Sequence, residues 1–66
     1  MDDTQFYRGA FVRVWRGGKE TIVYSNRTYT EPRYAKTWVS VRRNKLGSSF
    51  KEGWIERATG WERVED

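Results

Sequence analysis

Apolar and polar positions alternate along several short stretches of this chain, and Gly, Asn and Ser residues separate those stretches. Apolar residues at helical three-and-four spacing do not continue for more than a turn, whereas β-branched and aromatic residues recur in short runs. The pattern therefore predicts strands and no helix. The predicted strands are Tyr7 to Arg16, Lys19 to Ser25, Lys36 to Arg43, Phe50 to Arg57 and Trp61 to Glu65, with a short extended piece at Arg27 to Thr30.

The first two strands are joined by Gly17 and Gly18, which can adopt the positive φ angles of a two-residue hairpin turn. We therefore predict a β-hairpin with its turn at these two glycines. This register places three pairs opposite each other: Val14 with Thr21, Val12 with Val23, and Phe11 with Tyr24.

A second hairpin is predicted at the end of the chain, with its turn at Ala58-Thr59-Gly60. If Thr59 and Gly60 form the centre of the turn, the opposed pairs are Arg57 with Glu62, Glu56 with Arg63, and Ile55 with Val64. Two of these pairs carry opposite charges and the third is aliphatic, which favours this register. A three-residue turn would set Glu56 against Glu62, so we reject it.

Side chains alternate between the two sides of a strand, so these registers divide the residues between two faces. The predicted aliphatic face contains Ala10, Val12, Val14, Thr21, Val23, Val39, Val41, Ile55 and Val64. The predicted aromatic and basic face contains Phe11, Arg13, Trp15, Ile22, Tyr24, Trp38, Ser40, Arg42, Trp54, Trp61 and Arg63. All four Trp fall on the second face, which makes it the candidate binding surface.

The length of 66 residues predicts one small domain over 1–66, with frayed ends at 1–5 and 65–66. The chain has no Cys and no His, so neither disulfides nor Cys/His zinc sites can stabilise it. Its stability must come from packing, to which aromatic rings contribute most area per residue. The predicted fold is all-β: an antiparallel sheet of five or six strands, closed or half-closed into an SH3-like or similarly small barrel.

Net charge and the choice of cation favour an anionic partner. Lys and Arg number 13 against 9 acidic residues, a net charge of +4, and most of the cations are Arg. Arginine pairs with phosphate through two hydrogen bonds and stacks on bases, and aromatic rings stack on bases as well. The leading hypothesis is therefore a nucleic-acid-binding module, for either single strands or duplexes. Its candidate binding residues are Arg13, Trp15, Trp38, Arg42, Arg43, Lys45, Trp54 and Arg63.

Other interpretations fit the same residues. The rings can form the core, with the arginines lying over them in a purely structural role. Trp, Tyr and Arg are also favoured at protein interfaces, so a protein-interaction module or a small inhibitor that docks on a larger protein is the main alternative. A small anionic ligand of the nucleotide type is a third candidate, and either a monomer or a homodimer is compatible with the sequence.

Catalysis is not expected, because the chain lacks both His and Cys, the usual general base and nucleophile at neutral pH. No phosphate-loop or dinucleotide-binding motif occurs, and no cofactor or metal is expected. The acidic start at Asp2 and Asp3 and the absence of Cys favour a cytoplasmic location. No apolar run is long enough to predict a membrane span.

Overall fold

The computed structural model describes residues 5–64, so the termini predicted to fray lie mostly outside the described residues. These described residues form four strands and two helical segments. In chain order these are β1 (Tyr7–Val14), β2 (Glu20–Tyr24), α1 (Pro32–Leu46), a 3₁₀ turn (Gly47–Ser49), β3 (Phe50–Arg57) and β4 (Glu62–Val64). The predicted strand 50–57 is confirmed, and the end of the predicted strand 61–65 lies outside the described residues.

The described strands form one antiparallel sheet in the order β2-β1-β3-β4. The fold is mostly β, as predicted, but the prediction of five or six strands is wrong, because the described chain has four strands and one α-helix. The sheet is open and does not close into a barrel, so the SH3-like architecture is not confirmed.

The largest error concerns the segment Lys36 to Arg43, predicted as a strand, which lies inside α1. Pro32 begins the helix at a position where its missing N–H costs nothing. The helix ends at Gly47, whose φ of 55° suits glycine and whose N–H donates to the carbonyl oxygen of Arg43. Ala35 and Val39, four residues apart, are buried against the sheet, which is helical spacing.

The hairpin of β3 and β4 has the predicted register: Arg57 lies opposite Glu62, Glu56 opposite Arg63, and Ile55 opposite Val64. Opposite charges and one apolar pair were sufficient to select this alignment.

The first hairpin differs from its predicted register by one residue. The N–H of Trp15 donates to the carbonyl oxygen of Lys19, so the loop contains three residues, 16–18, instead of two. Gly17 and Gly18 both have a φ of 89°, as their role in the turn requires. The observed pairs are Val14 with Glu20, Val12 with Ile22, Phe11 with Val23, and Ala10 with Tyr24.

A shift of one residue moves every side chain of a strand to the other face, so the two predicted faces are wrong as sets. Val23 shares a face with Phe11, not with Val12, and this face also includes Gly53. The opposite face places Tyr24 and Trp54 beside Ala10. Each face of the sheet therefore carries both aliphatic and aromatic residues.

Helix α1 covers one face of the sheet, where it packs on β1 and β3. Ala35, Val39 and Ile55 form the centre of the buried core between the two layers. We call this side the helix side and the opposite side the open face.

The helix lies close to the sheet because two glycines face it. A Cβ atom added at Gly9 would lie only 2.5 Å from the Trp38 ring, and one at Gly53 would clash with Val39 and Phe50. These positions therefore require glycine for packing.

Candidate nucleic-acid interface

A groove runs between α1 and the hairpin of β1 and β2, because the helix packs over β1 and β3 and leaves the helix side of β2 uncovered. It encloses about 330 Å³. Its apolar lining comes from Phe11, Val23, Trp38 and Leu46. The tilted ring pair of Phe11 and Trp38, with centroids 5.7 Å apart, joins strand to helix at this point.

Three cations line this groove: Arg13 from β1, and Arg42 and Lys45 from α1. The guanidinium of Arg42 lies 5.2 Å from the centroid of the Trp38 ring, one helical turn earlier. Residues four apart lie on the same side of a helix, so one face of α1 presents a ring and a cation together. We call the groove with these cations the basic groove.

Trp15 extends the basic groove at its hairpin end. The guanidinium of Arg13 lies 3.9 Å from the centroid of the Trp15 ring. The indole Nε1 of Trp15 donates to Thr21 Oγ1 at 2.8 Å, which fixes the ring against β2. The residue is nevertheless 43% exposed, so this ring is both held in place and accessible to a ligand.

The electrostatic character of the basic groove is one-sided. Among the described residues that line it, none is acidic, and Asn26 is the one uncharged polar side chain apart from Tyr24. Helix α1 itself contains no acidic residue. Within residues 5–64, two guanidinium Nε atoms are buried without a hydrogen-bond partner, that of Arg13 in the groove and that of Arg57 outside it. Clustered cations without carboxylates create a positive potential that attracts anions.

The open face holds Arg8 differently. The guanidinium of Arg8 lies between Tyr24 and Trp61, 4.0 Å from each ring centroid. Its Nε donates to Glu56 Oε1 at 2.8 Å, and its Nη2 forms an ion pair with the same oxygen at 2.7 Å. Trp54 Nε1 donates to Glu56 Oε2 at 2.9 Å. Glu56 is buried, so this network is a closed structural unit. Trp61 has a φ of 55°, unusual for a residue with a side chain, and its ring completes the stack.

The predicted site residues therefore divide between separate places. Arg13, Trp15, Trp38, Arg42 and Lys45 lie together in and beside the basic groove. Trp54 and Arg63 lie on the open face, where the guanidinium of Arg63 is 3.9 Å from the Trp54 ring centroid. The structure does not bring this pair to the groove.

Arg43 also lies apart from the groove. It lines a second cleft of about 260 Å³ between α1 and β3, together with Lys36 and Ser40. Its guanidinium is 5.4 Å from the Phe50 ring centroid.

Several groove residues were not among the predicted binding residues, namely Phe11, Val23, Tyr24, Asn26 and Leu46. Leu46 follows Arg42 by one helical turn, a signal that has meaning once the segment is recognised as a helix. Arg8, the centre of the open-face network, had no distinguishing sequence signal.

In the part of the chain that the structure describes, no helix has the length and apolar character needed to cross a lipid bilayer. No three His, Cys, Asp or Glu side chains within residues 5–64 lie together as metal ligands would. No protein-family model, curated protein or solved structure matches this chain.

Proposed function

We propose that this chain is a non-catalytic binding module that holds single-stranded nucleic acid in the basic groove. The observation that carries the proposal is the convergence of Arg13, Arg42 and Lys45 on an aromatic groove without an acidic residue among its described lining. Elsewhere, Arg8 already has a carboxylate partner. No described acidic residue lines the groove beside Arg13, Arg42 and Lys45, so these cations are placed to accept anionic groups from outside the chain.

The chemistry of a nucleic-acid strand matches this arrangement. Phosphate oxygens accept charge-assisted hydrogen bonds from guanidinium and ammonium groups, and bases stack on exposed rings. Trp15 is an accessible tryptophan ring, and Arg13 lies on it at the groove end. The groove volume lies at the lower end of the roughly 300–1,000 Å³ typical of small-ligand pockets. It therefore suits one nucleotide of a strand at a time.

Titration with single-stranded oligonucleotides, followed by tryptophan fluorescence, tests the proposal. We expect quenching at low salt, because bases stack on Trp15. Contacts from three cations give an expected slope of log affinity against log salt of about −2, from roughly 0.7 per contact on a single strand. Absence of quenching with single-stranded DNA, duplex DNA and RNA would overturn the proposal.

A matched pair of variants locates the interface. Arg42→Gln removes one cation from the basic groove, and Arg63→Gln removes one from the open face, so both change the net charge equally. We expect Arg42→Gln to weaken binding and to make the salt slope shallower by about 0.7. Arg63→Gln should leave the slope unchanged. Equal effects of the two variants would contradict binding in the groove.

A protein-interaction module is the second candidate, favoured by the apolar side chains on the open face. Ile22 is 52% exposed and Tyr24 43% exposed on that side of the sheet. A protein partner docked there would retain affinity at high salt and would protect Trp61 instead of Trp15. Equal affinity for a mononucleotide and an oligonucleotide would instead identify a nucleotide-type ligand.

A cytoplasmic location stays a prediction from the Cys-free composition.

A further inference from the structure

The outer edge of β2 exposes unpaired backbone groups. Lys19 accepts a hydrogen bond from Trp15, and Ser25 donates one to Gly9, so both of these β2-flanking residues bond toward β1. Bonding direction alternates along an antiparallel strand, so Glu20, Ile22 and Tyr24 direct their N–H and C=O groups outward. Within residues 5–64, no strand pairs with this edge.

We propose that β2 pairs antiparallel with β2 of a second copy of this chain, about a two-fold axis at Ile22. In this register Ile22 lies opposite Ile22 of the second copy, and Glu20 lies opposite Tyr24. Each of these opposed pairs exchanges two backbone hydrogen bonds between outward-directed groups. Two shifted registers also preserve a two-fold axis, but each loses one pair. An axis at Thr21 leaves Tyr24 without a partner inside β2, and an axis at Val23 leaves Glu20 without one.

Side chains are compatible with this pairing. Ile22 is 52% exposed in the single chain and would be covered by its own counterpart. Thr21 lies opposite Val23 of the second copy on the helix side, and β-branched residues pack well in such positions. Glu20 is the one charged residue of β2, and it faces Tyr24, so no like charges are opposed within the strand.

This edge also lacks the features that usually prevent edge pairing. Strand β2 contains no Pro, and no irregularity interrupts its pairing with β1. The other outer strand, β4, has 3 residues within the described range 5–64, against 5 in β2. Self-association is therefore directed to β2.

The helices leave room for the second copy. The two copies would form one continuous sheet, four strands from each, with both helices on the same side. Because α1 packs over β1 and β3, about four strand spacings of 4.8 Å, roughly 19 Å, would separate the two helix axes. A helix with its side chains is about 10–12 Å wide, so the helices do not collide.

The gap between the helices coincides with the two basic grooves, which both border β2. The pairing thus joins two basic grooves into one longer channel. That this channel holds a longer nucleic-acid strand rests on the proposed function, whereas the dimer itself does not.

Sedimentation velocity over a series of protein concentrations tests the pairing. We expect the sedimentation coefficient to rise with concentration toward that of a dimer. Added salt should strengthen the dimer, because each copy carries a net charge of +4. This salt response is opposite to that of nucleic-acid binding, so the two proposals can fail separately.

Two substitutions at one position identify the edge. Ile22→Lys and Ile22→Glu each oppose like charges across the axis, so each variant alone should stay monomeric. Mixing the two variants should restore dimers, because opposite charges then face each other. Val41→Lys changes a similarly exposed aliphatic residue on α1 and should leave the dimer intact. A wild-type chain that stays monomeric throughout, or a dimer that survives Ile22→Lys, would overturn the inference.

Discussion

Arg8 on the open face and Arg13 on the helix side each lie on a tryptophan ring, but only Arg8 is bound to a carboxylate. On the open face, Arg8 lies between two rings and donates to the buried carboxylate of Glu56. On the helix side, Arg13 lies on Trp15, and no described residue lining the groove is acidic. The same residue types therefore form a closed structural network in one place and an unsatisfied basic surface in the other.

This difference explains why composition alone could not locate a binding surface. An arginine stacked on a ring is common in both structural and ligand-binding settings. A neighbouring carboxylate favours the structural role, because a guanidinium paired with a carboxylate must lose that partner before it can bind phosphate. The network around Glu56 should therefore control stability, and the basic groove should control binding.

The largest expected effect on stability is that of Glu56→Ala. It would leave the half-buried guanidinium of Arg8 without its partner and remove the acceptor for Trp54. Removing one member of a buried ion pair costs about 3–5 kcal/mol, so we expect the free energy of unfolding to fall by at least about 3 kcal/mol. Urea denaturation measures this, with Glu52→Ala, an exposed carboxylate on the same strand, as the control. A loss no larger than that of the control would refute the structural role of the network.

A smaller effect is expected from Gly53→Ala, on the helix side. The added methyl group would meet Val39 and Phe50, so helix and sheet would have to separate. Overpacking of this kind costs about 1–3 kcal/mol, visible as a lower melting temperature. Ser40→Ala, at an exposed position on α1, should have little effect. Unchanged thermal stability of Gly53→Ala would show that the layers are not closely packed at this position.

Binding should distinguish two tryptophans in similar settings. Trp15 and Trp61 are both exposed, and an arginine guanidinium lies about 4 Å from each ring centroid. Trp15 lies beside the basic groove, whereas Trp61 lies on the open face. Trp15→Leu should weaken oligonucleotide binding by about 1–3 kcal/mol, the usual value of one stacked base. Trp61→Leu should leave affinity unchanged in the same filter-binding assay. The reverse result would move the interface to the open face.

The smallest effect is expected from Lys51→Gln. Lys51 pairs with Glu20 at 3.0 Å on the surface, and both side chains are about half exposed. Exposed pairs contribute about 0–1 kcal/mol, so the urea midpoint should hardly move. A loss comparable to that of Glu56→Ala would contradict the distinction between buried and exposed pairs.

How much of this fold could be predicted depended on how many constraints each segment carried. The β3–β4 register followed from its alternating charges, because only one alignment opposed unlike charges. The first hairpin offered no such check, and both turn lengths were compatible with Gly17 and Gly18. Its loop proved one residue longer, so the side chains of β2 lie on the opposite faces, relative to those of β1, from the faces predicted.

The helix was missed because Val39 and Val41 alternate with polar residues as in a strand. Pro32 and Gly47, at the two ends of α1, were the signals for a helix. Trp38 and Arg42 were nevertheless placed on one face, because residues four apart share a face in both a strand and a helix. The groove itself could not be predicted, since it depends on which strands the helix covers.

The most direct test of the central claim is an NMR titration that follows the arginine Nε–Hε signals as single-stranded oligonucleotide is added. The Nε of Arg13 has no partner within residues 5–64, whereas the Nε of Arg8 donates to Glu56. We predict that the signals of Arg13 and Arg42 shift, while those of Arg8 and Arg63 stay in place. Shifts confined to Arg8 and Arg63 would contradict the account.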